Sequence, residues 1–131
     1  MNYRYAALAV MNTLLIIYLS SLPGYSITGR DGLSEQVVSN IIHIPAYGIL
    51  SFLWFMSFKK TVLQRKPLPV NCLVCIALVL FAISDEIHQL FVPGRFASVL
   101  DAGLDFLGIG IGYAVFRKIR SSNAFSRFLN A

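Results

Sequence analysis

Four long apolar runs, separated by short polar or basic stretches, constrain this chain more than any single motif. They fall at about 5–22, 40–58, 70–91 and 100–116. Each approaches the ~20 residues that an α-helix needs to cross a hydrocarbon layer of ~30 Å. The chain has 131 residues, of which 56% are apolar and 13% charged. Ordinary globular domains carry about a quarter charged residues, so a water-soluble fold of this composition could not cover its surface with polar groups. A bilayer removes that demand, because lipid-facing positions are apolar all round. The expected fold is all-α: a single domain over 1–131 forming a polytopic bundle of four transmembrane helices.

The breaks between runs are chemically distinct. The first run ends at Ser20-Ser21-Leu22-Pro23-Gly24, where proline and glycine stop a helix. Arg4 precedes it, as in a secretory signal, but the apolar stretch is long and no A-x-A site follows, so a retained span is expected. Tyr25 to Val38 reads as a polar loop with Arg30, Asp31 and Glu35, with room for a short interfacial helix. The second span opens with His43 and carries Pro45 in its first turns, where proline costs least. Lys59, Lys60, Arg65 and Lys66 precede Pro67-Leu68-Pro69. The third span runs through Ser84-Asp85-Glu86 to about Phe91, and Pro93-Gly94-Arg95 forms a short re-entrant or interfacial loop between helices 3 and 4. After Phe116 a basic tail, 117–131, carries Arg117, Lys118, Arg120 and Arg127.

Charge sets the expected orientation. With four alternating spans, Arg4, Lys59, Lys60, Arg65, Lys66, Arg117, Lys118, Arg120 and Arg127 share one side, and only Arg30 and Arg95 lie on the other. The positive-inside rule then puts both termini in the cytoplasm of a bacterial inner or plasma membrane, and all six acidic residues outside. The net charge of +5 is therefore an orientation signal and no nucleic-acid partner is expected. Cys72 and Cys75 form a C-x-x-C at the start of an apolar run. Without a second pair, they read as small apolar residues of a membrane helix rather than as a redox or metal pair.

This topology brings chemistry-bearing residues to one face. Span one ends with Ser20 and Ser21, and span two begins with Asn40, His43 and Tyr47. Span three ends with Asp85, Glu86, His88 and Gln89, and Arg95, Asp101 and Asp105 follow. Asp85, His88 and Gln89 share a helix face, with Glu86 turned about a quarter-turn from Asp85. Asp101 and Asp105 share another face, continued by Gly108 and Gly112, whose G-x-x-x-G spacing permits close helix approach. Asp101 and Asp105 are therefore expected to point toward spans two and three. An ionisable group within the membrane calls for a partner, and Arg95 and His43 are the candidates for Asp105. Structural roles compete: Asp85 and Glu86 pairing with Arg95, Asp101 capping the fourth helix, and His43 donating to a carbonyl or carboxylate.

The stretches S-D-E-I-H-Q-L-F-V-P-G-R-F-A-S-V-L-D and D-F-L-G-I-G-I-G resemble the signature of the VanZ-like family, named for a teicoplanin-resistance protein. The earlier S-S-L-P-G and H-I-P-A-Y-G-I-L resemble its first two blocks, so the resemblance covers about Ser20 to Gly112. It implies an integral membrane protein of the cell envelope and raises a role in antibiotic resistance, although many members occur where glycopeptide resistance is not at issue. The chain departs from the family pattern at Ser39 and Asn40, where many members carry Asp-Lys. It also departs at Ala46, where some carry glutamate, and at Asp105, where many carry Asn.

Three functions follow. In an enzyme acting on a lipid-linked envelope substrate, Glu86 or Asp85 would be the general acid or base with His43 or His88 as partner. Arg95 would grip a phosphate or carboxylate, and Gln89, His88, Asp101, Asp105, Tyr47 and Ser21 would line the substrate site. In a non-catalytic binder the same layer would hold the headgroup of a membrane lipid, a lipid-linked precursor or a lipoglycopeptide, with the bundle holding the tail. A small transporter subunit would need a homo-oligomer and a polar path that span three, from Leu73 to Ile83, does not offer. No zinc-type spacing such as H-E-x-x-H occurs, so no resident metal or cofactor is expected. A divalent cation among Asp85, Glu86, Asp101 and Asp105 is the one metal version the acids admit.

Overall fold

The computed structural model describes residues 1–23, 33–58, 67–95 and 98–121, with backbone alone at 33–41 and Pro67. It contains four helices: α1 (Tyr3–Ser21), α2 (Leu33–Ser57), α3 (Pro67–Gln89) and α4 (Val99–Ser121). No strand occurs among the described residues. Three helical stretches are long and apolar enough to cross a membrane: Tyr3–Ser21, Leu68–Gln89 and Val99–Ser121. Ile42–Ser57 is a shorter apolar stretch of the same character.

Several hydroxyl residues sit within these apolar helices because they return their hydrogen bonds to the preceding turn. Thr13 donates to Ala9 O at 2.9 Å, Ser20 to Ile16 O at 2.7 Å and Ser21 to Ile17 O at 2.6 Å. This back-bonding removes the need for an outside partner. Leu8, Met11, Leu14, Tyr18, Leu73, Leu80, Val99 and Ile111 project outward and are exposed, an apolar belt that suits hydrocarbon and not water.

Successive helices alternate in direction. Asn2 N donates to Ser57 O at 2.6 Å, joining the start of α1 to the end of α2. Asn71 at the start of α3 donates to Tyr113 OH, late in α4, at 3.2 Å. The end of α1, the apolar start of α2, the end of α3 and the start of α4 therefore meet at one end of the bundle. The core between the ends contains Leu50, Phe55, Val74, Leu78, Ala82 and Ile109. At the opposite end Phe55 packs on Tyr113 and Phe116 at 4.8 and 5.2 Å between ring centroids, and Arg120 lies 5.7 Å over Phe116.

The most extensive helix contact is between α2 and α4, and glycine makes it. A Cβ built on Gly108 would stand 2.5 Å from Ile44 O and 3.2 Å from Gly48 N. One on Gly112 would strike Gly48 O. The backbones are thus in direct contact, close enough for Ser51 Oγ to donate across the seam to Ile109 O at 2.9 Å. Without a hydrophobic drive between helices in lipid, such close packing and cross-helix hydrogen bonds carry association.

Several boundaries differ from the sequence expectation. α2 begins at Leu33 rather than near residue 40, so Pro45 lies in the interior of the helix and not in its first turns. There it lacks the N–H that would bond four residues back. α3 begins at Pro67 rather than near residue 70, since the first turn has no intrahelical use for the N–H that proline lacks. α4 continues to Ser121, which takes Arg117, Lys118 and Arg120 out of the expected tail and into the helix. Cations are favourable at that negative end. Between α3 and α4, Leu90, Phe91, Val92 and Arg95 each donate to the carbonyl three residues back, and Gly94 takes φ 74°. The described part of that connection is thus a run of tight turns, with glycine where the backbone enters the left-handed region. Of the expected polar loop at 25–38, residues 33–38 are instead the first turns of α2, while 25–32, the basic loop at 59–66 and the tail beyond 121 lie outside the described residues.

Candidate functional site

At the end where α1 and α3 finish and the apolar part of α2 and α4 begin, the polar side chains fall into three groups. The first surrounds the glycine seam. Asp105 lies one turn before Gly108 and is fully buried. Because the seam holds α2 and α4 in backbone contact, the Asp105 carboxylate reaches His43, with Nδ1 to Oδ1 at 2.8 Å. The His43 ring lies parallel to that of Tyr47, 7° between planes. Of the two candidates for Asp105, His43 is the partner.

Glu86 joins this group from α3. Its Oε2 accepts the backbone N–H of Ser98 at 3.1 Å. Ser98 is the N-cap of α4, its Oγ accepting from Leu100 N at 3.0 Å and Asp101 N at 3.3 Å. In a capping box the acid three residues on would return to the N-cap N–H. Here Glu86 takes that N–H, and the cap is Ser98 rather than Asp101. Asp101 is buried with Oδ1 lacking any partner. Glu86 Oε1 and Asp105 Oδ2 are likewise buried and unpartnered. Buried polar atoms are nearly always hydrogen-bonded, so three unpartnered carboxylate oxygens in one layer are unusual. One ligand atom each from His43, Glu86 and Asp105 can be chosen so that all lie within 4.8 Å of one another.

The second group is a clasp between α2 and α3. Tyr47 OH donates to Asp85 Oδ2 at 3.2 Å, and Gln89 Nε2 donates to the same oxygen at 3.3 Å. All three are buried. A cleft of about 140 Å³ beside them is lined by Ile17, Phe81, Ser84, Asp85 and His88.

The third group ties α1 to the end of α3. His88 Nε2 and Ser21 Oγ are 3.0 Å apart. Because the Ser21 hydroxyl already donates to Ile17 O, it accepts here and His88 Nε2 donates. Arg95 Nε donates to Leu22 O at 3.2 Å and Nη2 to Leu19 O at 2.7 Å. Leu19 lies in the last turn of α1 and Leu22 is its C-cap; Leu19 O also accepts Leu22 N–H at 3.3 Å, and a cation is favoured at this end of the helix.

Two expectations are corrected. His88 does not share the inward face of Asp85 and Gln89; it is exposed and turned to α1, while Glu86 is buried. The buried stripe of α3 runs Val74, Leu78, Ala82, Asp85, Glu86, Gln89, spaced by threes and fours, and His88 falls beside it. Arg95 does not pair with Asp85, Glu86 or Asp105: their described partners are Tyr47, Gln89, Ser98 and His43. Ser98 was missed as a site residue, although Ser98-x-x-Asp101 carries the sequence signature of a helix start. The side chain of Asn40, expected with His43 and Tyr47 at the start of span two, lies outside the described residues. Cys72 and Cys75 are free thiols near the start of α3, far from the layer in sequence.

The VanZ/LLP1 family profile matches residues 3–121, which takes in all four helices and every residue of the polar layer. The chain belongs to the VanZ/LLP1 family. Searches of curated proteins and of solved structures returned no match. Within this VanZ/LLP1 chain the signature residues divide by role. Pro93-Gly94-Arg95 shapes the turn and anchors α1, Tyr47, Asp85 and Gln89 clasp α2 to α3, and His43, Glu86, Asp101 and Asp105 form an acidic centre.

Proposed function

We propose that this VanZ/LLP1 protein is a multi-pass membrane protein of the cell envelope, with both termini cytoplasmic. Its acidic centre receives the headgroup of an amphipathic envelope molecule at the extracytoplasmic face. The observation that carries the reading is the set of buried, unpartnered oxygens on Glu86, Asp101 and Asp105 at one end of an otherwise apolar bundle. Desolvating such groups without partners costs roughly 1–3 kcal/mol each, and more when charged, so a site that keeps them is built for a ligand. The charge asymmetry of the loops supports the outward orientation.

The chemistry narrows the headgroup. Ionised carboxylates only accept hydrogen bonds, so the docking group presents hydroxyl, amide or ammonium donors. Arg95 is engaged by the α1 carbonyls, which removes the phosphate grip that its position suggested. A sugar- or peptide-bearing lipid precursor fits this donor requirement, as does a lipophilic glycopeptide such as teicoplanin. The transporter reading has less support, because Leu50, Leu78, Ala82 and Ile109 pack beneath the layer.

Lipid mass spectrometry of the purified protein tests the proposal. Wild type should retain a lipid class that Glu86→Gln and Asp101→Asn lose. Equal lipid profiles in all three proteins would refute it. If Glu86→Gln keeps the lipid and accumulates it unprocessed relative to wild type, the centre is catalytic. Loss of the lipid from Glu86→Gln, with no chemically altered form of it on wild type, makes it a binder.

A further inference from the structure

We infer that His43, Glu86 and Asp105 hold a divalent metal ion. The inference deepens the reading above and rests on this layer being a ligand site, but not on the identity of the headgroup. Its first support is geometric. One imidazole nitrogen and two carboxylate oxygens, from three different helices, lie within 4.8 Å of one another. A cation with bonds of about 2.1 Å places its ligand atoms about 3 to 4.2 Å apart. A pair at the 4.8 Å limit would close by about 0.6 Å to sit on opposite sides of the ion and by about 1.8 Å to sit side by side on it.

The second support is independent of the cluster. Glu86 is 7% exposed and Asp105 0%, and each has a carboxylate oxygen with no partner. Asp101, 6% exposed, adds a third such oxygen beside them in the layer. Each carboxylate is meanwhile fixed through its other described contact: Glu86 by the Ser98 N–H and Asp105 by His43. One oxygen held and one left over is the arrangement of an oriented ligand.

Charge balance is the third. Asp85, Glu86, Asp101 and Asp105 are four carboxylates buried in one layer. Arg95, the guanidinium described at this end of the bundle, is bonded to carbonyls at the end of α1 instead, and His43 supplies at most one positive charge. Carboxylates crowded in a low-dielectric layer demand compensation, and a divalent cation held by His43, Glu86 and Asp105 provides it within that layer. A mixed set of one imidazole and two carboxylates suits Mn²⁺ or Zn²⁺ and leaves coordination positions open. An open position would hold an oxygen of the docked headgroup.

The test uses the full chain purified in detergent, stripped of metal and titrated with Mn²⁺ alone. Wild type should bind about one Mn²⁺ per chain, and His88→Gln should match it. Glu86→Gln and Asp105→Asn should each weaken binding roughly 10-fold or more. Because a change at a buried carboxylate can impair folding, pulsed electron paramagnetic resonance of the wild-type Mn²⁺ form gives a separate readout. It should show a nitrogen coupling that His43→Gln abolishes and His88→Gln retains. Three results would each overturn the inference: no binding of Mn²⁺ or Zn²⁺ at millimolar concentration, unchanged affinity in Glu86→Gln, or no nitrogen coupling. Lipid mass spectrometry on the same preparations separates the two readings. Enriched lipid on a protein that binds no added metal removes the metal alone, and metal bound without any enriched lipid removes the headgroup reading.

Discussion

Replacing Gly108 by alanine perturbs the bundle at its tightest point. The new Cβ would stand 2.5 Å from Ile44 O and 3.2 Å from Gly48 N, both backbone atoms of α2. No flexible side chain is there to give way. To restore ordinary C···O separations of about 3.3–3.6 Å, α2 and α4 must part locally by about 0.8–1.1 Å. That separation loosens the packing that replaces a hydrophobic drive between helices in lipid. It also stretches the Ser51–Ile109 bond of 2.9 Å and the His43–Asp105 contact of 2.8 Å. Overpacking costs about 1–3 kcal/mol, and weakening a buried bond to a charged group adds about 1 kcal/mol or more. The expected loss is therefore about 2–4 kcal/mol. Controls lie in the same helix: nothing stands within 4 Å of a Cβ on Gly103 or Gly110. Alanine at either should be neutral or stabilising by up to about 1 kcal/mol, from helix propensity alone. Thermal or dodecyl-sulfate unfolding in detergent micelles, followed by circular dichroism, measures all three. Equal stability of Gly108→Ala and Gly103→Ala would refute the close seam and, with it, the way Asp105 is delivered to His43.

The other groups of the layer are testable in the same way. Tyr47→Phe should cost about 1–2 kcal/mol by removing one donor from the buried Asp85 carboxylate, and a double-mutant cycle with Asp85→Asn should show coupling. Ser98→Ala should cost about 1 kcal/mol through loss of the helix cap; because the Ser98 N–H to Glu86 is a backbone donor, metal and lipid binding should persist. Arg95→Ala frees the Leu19 and Leu22 carbonyls, so hydrogen exchange should rise in the last turn of α1 while lipid retention is kept; loss of lipid with unchanged exchange would return Arg95 to the binding site. If the antibiotic reading is relevant to this member, expression in a susceptible host should raise the teicoplanin concentration needed to stop growth, and Glu86→Gln should abolish the rise at equal protein level.

Much of the architecture was legible because it follows from local rules. Long apolar runs with charges only at their ends can satisfy backbone groups in hydrocarbon only as helices, and alternation of direction brings Ser21, His43, Asp85 and Asp105 to one end. The spacing of Asp101, Asp105, Gly108 and Gly112 announced a face that could approach another helix closely, and the seam with Gly48 is that approach. Helix ends were less legible. The apolar pattern fades at Phe116, but cations favour the helix C-terminus and α4 continues to Ser121.

Four helices, the common polar end and the glycine face were thus determined by the sequence alone, through length, hydropathy and spacing. Partner choice was decided by the tertiary structure. Spacing says which residues share a face of one helix, but not which neighbour that face meets. Only the packing of α3 against α2 and α4 turned Glu86 inward and left His88 to α1. Only the fold brought the Leu19 and Leu22 carbonyls at the end of α1 within reach of Arg95, so the expected ion pair with the acids did not form. Removing that guanidinium from the layer leaves, among the described residues, four buried carboxylates and one histidine, and this imbalance, invisible in the order of the residues, is what points to a ligand.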